Sequence, residues 1–181
     1  MTTNPSPPGR RRRRISAGDT LPSLSFPVAG TGGRLAWSQG RMAPVIFVSH
    51  GRPCPECIQY AGALAAGHDP LAEWAARALV LLSTNLVGEV DTWQRPELSV
   101  LADHDGTGRA QLGVDNDHAA VVQADRWGAV YDIAVIPATG DHGDLPSVSA
   151  LVALAKYIDI QCPECGVPSK EWMLATPFPL G

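Results

Sequence analysis

Apolar residues along this chain fall into two kinds of run, short β-branched runs and longer runs of helix-forming residues. Ala43–His50 (APVIFVSH) and Ala78–Thr84 (ALVLLST) are apolar almost throughout, which is typical of strands covered on both faces. Shorter runs predict further strands at Ser23–Ala29, Arg34–Ser38 and Leu98–Asp103. The pattern therefore predicts a sheet whose central strands are buried.

Helices are predicted between these strands. Ile58–Ala66 and Pro70–Arg77 are rich in helix formers, and a short helix is expected at Arg109–Val114. In Ser147–Ile160 the apolar residues recur on one stripe of a helix. Strands that alternate with helices imply a largely parallel sheet in an α/β fold.

A β-hairpin adds an antiparallel part to this sheet. Ala119–Val135 contains two β-rich runs joined at DRWG, with Gly128 in the turn. The order of the elements is strand, helix, strand, helix, hairpin and helix, with extra strands at the N-terminal end. We therefore expect a mixed sheet with helices on both faces.

Charge is distributed unevenly along the 181 residues. Residues 1–14 contain five arginines and no acidic residue, so the rest of the chain has 9 basic against 18 acidic residues. We expect a disordered Pro/Arg-rich tail at 1–14, a single folded domain at 15–160 and a C-terminal tail at 161–181. An acidic domain is not expected to bind nucleic acid.

No apolar run approaches the roughly 20 residues of a membrane-spanning helix, so no membrane partner is expected. The arginine run is not followed by the apolar segment of an export signal. We therefore expect a cytoplasmic protein. In that compartment a Cys-x-x-Cys motif indicates redox chemistry or metal binding.

The four cysteines form two copies of the sequence CPEC. Cys54 and Cys57 follow a predicted strand and precede a predicted helix, whereas Cys162 and Cys165 lie in the C-terminal tail. A helix N-terminus stabilises a thiolate, so the first pair is expected to be a reactive dithiol. Pro55 suits an early helical position because its missing N–H costs nothing there.

Four segments, in order, resemble the peroxiredoxin-like (redoxin) branch of the thioredoxin fold, the alkyl hydroperoxide reductase and thiol-specific antioxidant group. They are GDTLPSLSF, VIFVSHGRPCPEC, VLADHDGTGRAQLGV and AVVQADRWGAVYDI. The resemblance implies a thioredoxin-like three-layer sandwich over residues 15–160. It also implies an oxidoreductase with Cys54 and Cys57 as catalytic residues, and a protein disulfide or a thioredoxin-type electron donor as partner.

The resemblance leaves three functions open. Thiol–disulfide exchange by Cys54 and Cys57 needs no cofactor. The second function is that of a thiol peroxidase with Cys54 as the peroxidatic residue. The family has Thr or Ser three residues before that cysteine, whereas this chain has Gly51. The third is a zinc-binding structural or regulatory protein whose ligands are all four cysteines, although 104 residues separate the two pairs.

Cys162 and Cys165 are expected to act as a resolving or relay dithiol. A helix that begins beside the first CPEC motif and runs away from it would place the second motif at the opposite end of the fold, so a homodimer is the simpler way to bring the two together. His50, Arg52 and His118 are candidates for tuning the reactive thiol. The loop GDHGD (140–144) is expected to be a solvated turn.

Overall fold

The computed structural model describes residues 13–27, 34–37, 40, 42–83, 99–103 and 105–161. Residues 1–12 and 162–181, which include Cys162 and Cys165, lie outside this description. Arg13 and Arg14 are described, and they form ion pairs with Asp19 and Asp115. No helix among the described residues has both the length and the apolar character needed to cross a membrane.

Among the described residues, seven strands form two sheets, and each predicted strand is present within a few residues of its expected limits. The small antiparallel sheet consists of β1 (Leu24–Pro27) and β2 (Arg34–Trp37). The strands of the large sheet, in chain order, are β3 (Ala43–Val48), β4 (Ala76–Ser83), β5 (Ser99–Asp103), β6 (His118–Ala124) and β7 (Val130–Pro137).

The large sheet is mixed, as the sequence predicted, with the spatial order β5-β4-β3-β6-β7. β3 is parallel to β4 and antiparallel to β6, and β6 and β7 form the hairpin. Gly128 has a φ of +90° in the turn of that hairpin, a backbone conformation that a side chain disfavours. β3 therefore lies at the centre of the sheet and is hydrogen-bonded on both sides.

In the part of the chain that the structure describes, four helices and one 3-10 turn accompany the sheet. They are α1 (Pro55–Ala66), α2 (His68–Ala72), α3 (Thr107–Gln111), the 3-10 turn His142–Asp144 and α4 (Val148–Asp159). The second predicted helix is shorter than expected, because Ala75 has a φ of +50° and the next strand begins immediately after it.

Two hydrophobic cores cover the two faces of the large sheet. Val45 and Phe47 of β3 belong to the core that α1 and α4 cover. Ile46 and Val48, which point to the other face, belong to the core that includes Phe26 of β1. The layers therefore match the predicted α/β sandwich, and the predicted extra N-terminal strands, β1 and β2, share the core of the second face with the short α3.

The start of α4 corrects one expectation. The tip of the α1–α2 connection meets α4 there, since a Cβ atom on Gly67 would overlap Cγ1 of Val148. α4 thus begins beside the far end of α1, not beside the first CPEC motif, because the segment between β7 and α4 runs along α1. Its C-terminal end still lies near the hairpin turn, where Asp159 binds Arg126 and Gln161 accepts a hydrogen bond from Tyr131.

Candidate active site

Cys54 and Cys57 lie at the start of α1, directly after the central strand. Cys54 has an extended backbone and is the N-cap of the helix, with Pro55 in the first helical turn. The backbone N–H of Cys57 donates to Cys54 Sγ at 3.3 Å, so the thiol replaces the oxygen that usually caps a helix. Both cysteines are free in the structure, which supports the predicted dithiol at a strand-to-helix junction.

Two histidines from segments far apart in the chain contact the two sulfurs. His50 Nδ1 lies 3.4 Å from Cys54 Sγ and 3.3 Å from Cys57 Sγ. His142 Nε2 lies 3.5 Å from Cys54 Sγ and 3.4 Å from Cys57 Sγ. The four side chains therefore form one compact cluster, which we call the Cys2His2 cluster.

Both thiols are buried. Cys57 is 0% exposed and Cys54 is 4% exposed, so Cys54 is the slightly less covered residue. The pKa of the Cys57 thiol is raised to about 12, mainly by burial and to a smaller degree by the neighbouring Cys54 and Glu56, whereas the backbone N–H of His50, which donates to Cys57 Sγ, acts in the opposite direction.

His50 is held in its uncharged form. Burial lowers the pKa of its imidazole, the carbonyl of Pro137 opposes this shift, and the nearby His142, Arg52 and Arg109 add to the lowering. A neutral imidazole with one free ring nitrogen accepts a proton, a hydrogen bond or a metal ion. Its Nε2 atom is buried and has no hydrogen-bond partner among the described residues.

The segment that carries His142 is fixed at three points. Asp141 accepts a hydrogen bond from the Gly143 N–H at 2.8 Å and so caps the 3-10 turn. Arg52 donates to the Ala138 carbonyl at 2.8 Å, and the buried Tyr60 hydroxyl donates to the Pro146 carbonyl at 2.7 Å. The bond from Tyr60, in α1, ties the segment to the same helix that carries the cysteines.

A buried ion pair lies next to the C-terminal end of β3 and stabilises the backbone there. Arg109 Nε lies 3.1 Å from Asp103 Oδ2, and both side chains are almost fully buried. The same guanidinium donates to the Ser49 carbonyl at 3.1 Å. Because Ser49 precedes His50, this charge-assisted network positions the backbone that presents the first histidine.

The other predicted tuning residues take different positions. Arg52 binds the Ala138 carbonyl, and its positive charge acts on His50 through space. His118 lies at the start of β6 and outside the Cys2His2 cluster. Its Nδ1 is 2.7 Å from Asp117 Oδ1, which lowers the pKa of Asp117. Whether these residues affect the reaction remains a prediction.

His142 and Arg109 are the two site residues that sequence reasoning missed. His142 was placed in a solvated turn, and its side chain instead reaches both sulfurs although it lies 88 positions after Cys54 in the chain. The available signal was chemical, a histidine between two aspartates in the loop after a strand that ends at the same edge as β3. Arg109 gave no comparable signal within its short helix.

Comparisons with known proteins support the fold. No protein-family model and no curated protein matches the chain. Among solved structures, peroxidoxin BcpB from Mycobacterium tuberculosis is similar with a TM-score of 0.59 and 20% identity, over 82% of this chain and 100% of that one. The reduced 2-Cys peroxiredoxin of Plasmodium vivax has a TM-score of 0.63 and 16% identity, over 78% and 95%.

A second group of similar structures consists of disulfide oxidoreductases. A secreted Mycobacterium tuberculosis disulfide oxidoreductase homologous to E. coli DsbE has a TM-score of 0.54 and 19% identity, over 72% of this chain and 95% of that one. The chain therefore has the thioredoxin-like fold shared by peroxiredoxins and DsbE-like proteins, which confirms the predicted fold. Its Cys-x-x-Cys pair lies at the start of the helix that follows the central strand.

Proposed function

We propose that this protein is a thiol–disulfide oxidoreductase that uses Cys54 and Cys57 as its dithiol. The observation that carries the proposal is the hydrogen bond from the Cys57 N–H to Cys54 Sγ in the first turn of α1. It places both sulfurs at one helix N-terminus, where the unpaired N–H groups stabilise a thiolate. The similar disulfide oxidoreductases and peroxiredoxins share this fold and add support.

The exchange takes place in two steps. Cys54 Sγ, as the thiolate, attacks one sulfur of a partner's disulfide, so a mixed disulfide forms and one partner thiolate leaves. Cys57 Sγ then attacks Cys54 Sγ, which releases the second partner thiolate and leaves a Cys54–Cys57 disulfide. Two electrons pass to the partner, and the two protons of the dithiol end on the partner's two thiols.

The second step needs a base, because the thiol of Cys57 is buried and protonated. His50 Nδ1 and His142 Nε2 lie 3.3 and 3.4 Å from Cys57 Sγ. A neutral imidazole at that distance takes the thiol proton as the sulfur attacks and later passes it to the departing thiolate. A thioredoxin-type protein or a small thiol would then reduce the Cys54–Cys57 disulfide and complete the cycle.

Insulin reduction in the presence of dithiothreitol tests the proposal. The parent protein is expected to accelerate insulin precipitation, and Cys54→Ser and Cys57→Ser are each expected to lose most of that acceleration. The matched control is the double variant Cys162→Ser/Cys165→Ser, which leaves the first pair intact and is expected to retain it. If the control variant lost the acceleration of insulin precipitation and Cys54→Ser retained it, Cys54 and Cys57 would not be the reactive dithiol.

Mass spectrometry of the oxidised control variant provides a second, independent readout. A Cys54–Cys57 disulfide is expected after treatment with oxidised glutathione, with a loss of two hydrogens. Peroxide consumption without insulin reduction, accompanied by a sulfenic acid on Cys54, would instead identify a peroxidase and overturn the proposed exchange.

A further inference from the structure

The Cys2His2 cluster has a geometry that disulfide exchange alone does not require. Each imidazole nitrogen is nearly equidistant from both sulfurs, and the four nitrogen–sulfur distances lie between 3.3 and 3.5 Å. All four ligand atoms lie within 4.8 Å of one another. A single imidazole nitrogen carries one proton or one lone pair, so it cannot form a full hydrogen bond with both sulfurs at once.

We propose that the reduced Cys54–Cys57 dithiol, His50 Nδ1 and His142 Nε2 together bind one zinc ion. Zinc prefers tetrahedral sites with thiolate and imidazole ligands, at about 2.3 Å for sulfur and about 2.0–2.1 Å for nitrogen. A regular tetrahedron with those bond lengths separates sulfur from nitrogen by about 3.6 Å. The distances in the cluster are within a few tenths of an ångström of this value.

Charge and burial also suit a divalent cation. His50, Cys54 and Cys57 are buried, and two thiolates in such a position need a positive partner. A zinc ion balances both charges. Coordination through Nδ1 would leave the ring proton of His50 on Nε2, which is buried and has no hydrogen-bond partner among the described residues.

The ligands are positioned by the fold before any ion binds. Two come from the first turn of α1, one from the end of the central strand and one from the 3-10 turn His142–Asp144. The bond from Tyr60 to Pro146 fixes the last of these to α1. This ligand set uses the first CPEC motif and two histidines, and it does not need Cys162 or Cys165.

Zinc binding and disulfide formation exclude each other, because both use the same two sulfurs. The reduced protein binds Zn²⁺ and releases the two thiol protons. When a partner's disulfide oxidises the zinc-bound dithiolate, the Cys54–Cys57 disulfide forms, Zn²⁺ is released, and the partner takes two electrons from the dithiolate and two protons from solvent to become two thiols. This release step depends on the proposed disulfide exchange, whereas zinc binding itself does not.

Zinc titration of the reduced, untagged Cys162→Ser/Cys165→Ser protein tests the site, with a chromogenic chelator as competitor. One zinc ion per chain is expected, and Co²⁺ in its place should show the absorption of tetrahedral thiolate coordination. His142→Ala is expected to weaken binding at least about 10-fold, since even outer-shell partners of a ligand contribute 10–100-fold. The control Arg126→Ala, which removes an ion pair near the hairpin turn and outside the cluster, should leave the affinity unchanged.

Three results would overturn the proposal: no zinc in the reduced protein, equal affinity in His142→Ala and its parent, or zinc in the parent that is lost in Cys162→Ser/Cys165→Ser. Circular dichroism of each variant would verify that it folds. The insulin assay separates the two proposals. Disulfide exchange without zinc binding would refute only the proposed metal site. Zinc binding by a dithiol that never forms a disulfide would refute only the proposed exchange.

Discussion

Cys54 Sγ and His142 Nε2 lie 3.5 Å apart although the two residues are 88 positions apart in the chain. The cysteine is the N-cap of α1, and the histidine belongs to the segment that joins β7 to α4, which we call the β7–α4 segment. That segment runs along α1 and is held there by Tyr60, so it both contributes a ligand and covers the thiols. Access to Cys54 therefore depends on how firmly this segment is held.

The first prediction concerns that access. Tyr60→Phe removes the hydrogen bond to the Pro146 carbonyl, so local opening of the β7–α4 segment should become more frequent. In the Cys162→Ser/Cys165→Ser background and without metal, Cys54 is expected to react several-fold faster with Ellman's reagent. Tyr131→Phe is the matched control, because it removes a hydroxyl bonded to Gln161 at 2.7 Å near the hairpin turn. Equal rates in all three proteins would show that Tyr60 does not restrict access.

The second prediction concerns the buried ion pair. Arg109→Ala leaves the Asp103 carboxylate buried without its cation, although the N–H groups of Gly108 and Arg109 still donate to it. The free energy of unfolding is expected to fall by about 3–5 kcal/mol in urea denaturation. Arg126→Ala, which removes a partly exposed pair with Asp159, should cost less than about 1 kcal/mol. Similar losses in the two variants would contradict this reading.

The third prediction concerns the close packing between Gly67 and Val148. Gly67→Ala places a methyl group where Val148 Cγ1 already lies, and overpacking of this kind costs about 1–3 kcal/mol of unfolding free energy. The double variant Gly67→Ala/Val148→Ala should recover much of that loss, because the smaller side chain makes room. If the losses of unfolding free energy from Gly67→Ala and Val148→Ala simply add in the double variant, the clash is not the cause of the destabilisation.

The fourth prediction concerns alkaline pH. Burial, with smaller contributions from Asp125 and Tyr157, raises the pKa of Tyr131 to about 12, whereas an unfolded tyrosine ionises near pH 10. Between these values the unfolded state loses its proton first, so the contribution of Tyr131 to stability is full below about pH 10 and falls as the pH rises toward 12. The difference in urea midpoint between the protein and Tyr131→Phe should therefore shrink from pH 9 to pH 11.5. A constant difference would indicate that the folded and unfolded pKa values are equal.

Local patterns were sufficient to predict the strands, the hairpin and the dithiol. The run at β3 and the turn at Gly128 each depend on residues close together in the chain, and so does the N-cap role of Cys54. The strands β1 and β2 were predicted as well, but they are short, and their place in the core with Leu81 and Leu101 depends on tertiary packing that local patterns do not specify. The limits of α2 and the start of α4 depend on the same kind of long-range packing.

His142 illustrates why the site was only half predictable. The residues next to His142 do not indicate whether its side chain faces solvent or the two sulfurs. Its position depends on the path of the β7–α4 segment along α1. That path is set by Tyr60 and by the meeting of Val148 with Gly67, which are far apart in sequence. Patterns among neighbouring residues do not predict such long-range contacts.

The position of β3 between β4 and β6 also determines the order in which the site is assembled. During synthesis β3, α1 and β4 are complete long before β6 and the β7–α4 segment emerge from the ribosome. Pairing with β6 closes a long loop and is expected to be slow. Until the β7–α4 segment lies along α1, Cys54 and Cys57 therefore lack both His142 and the cover that this segment provides.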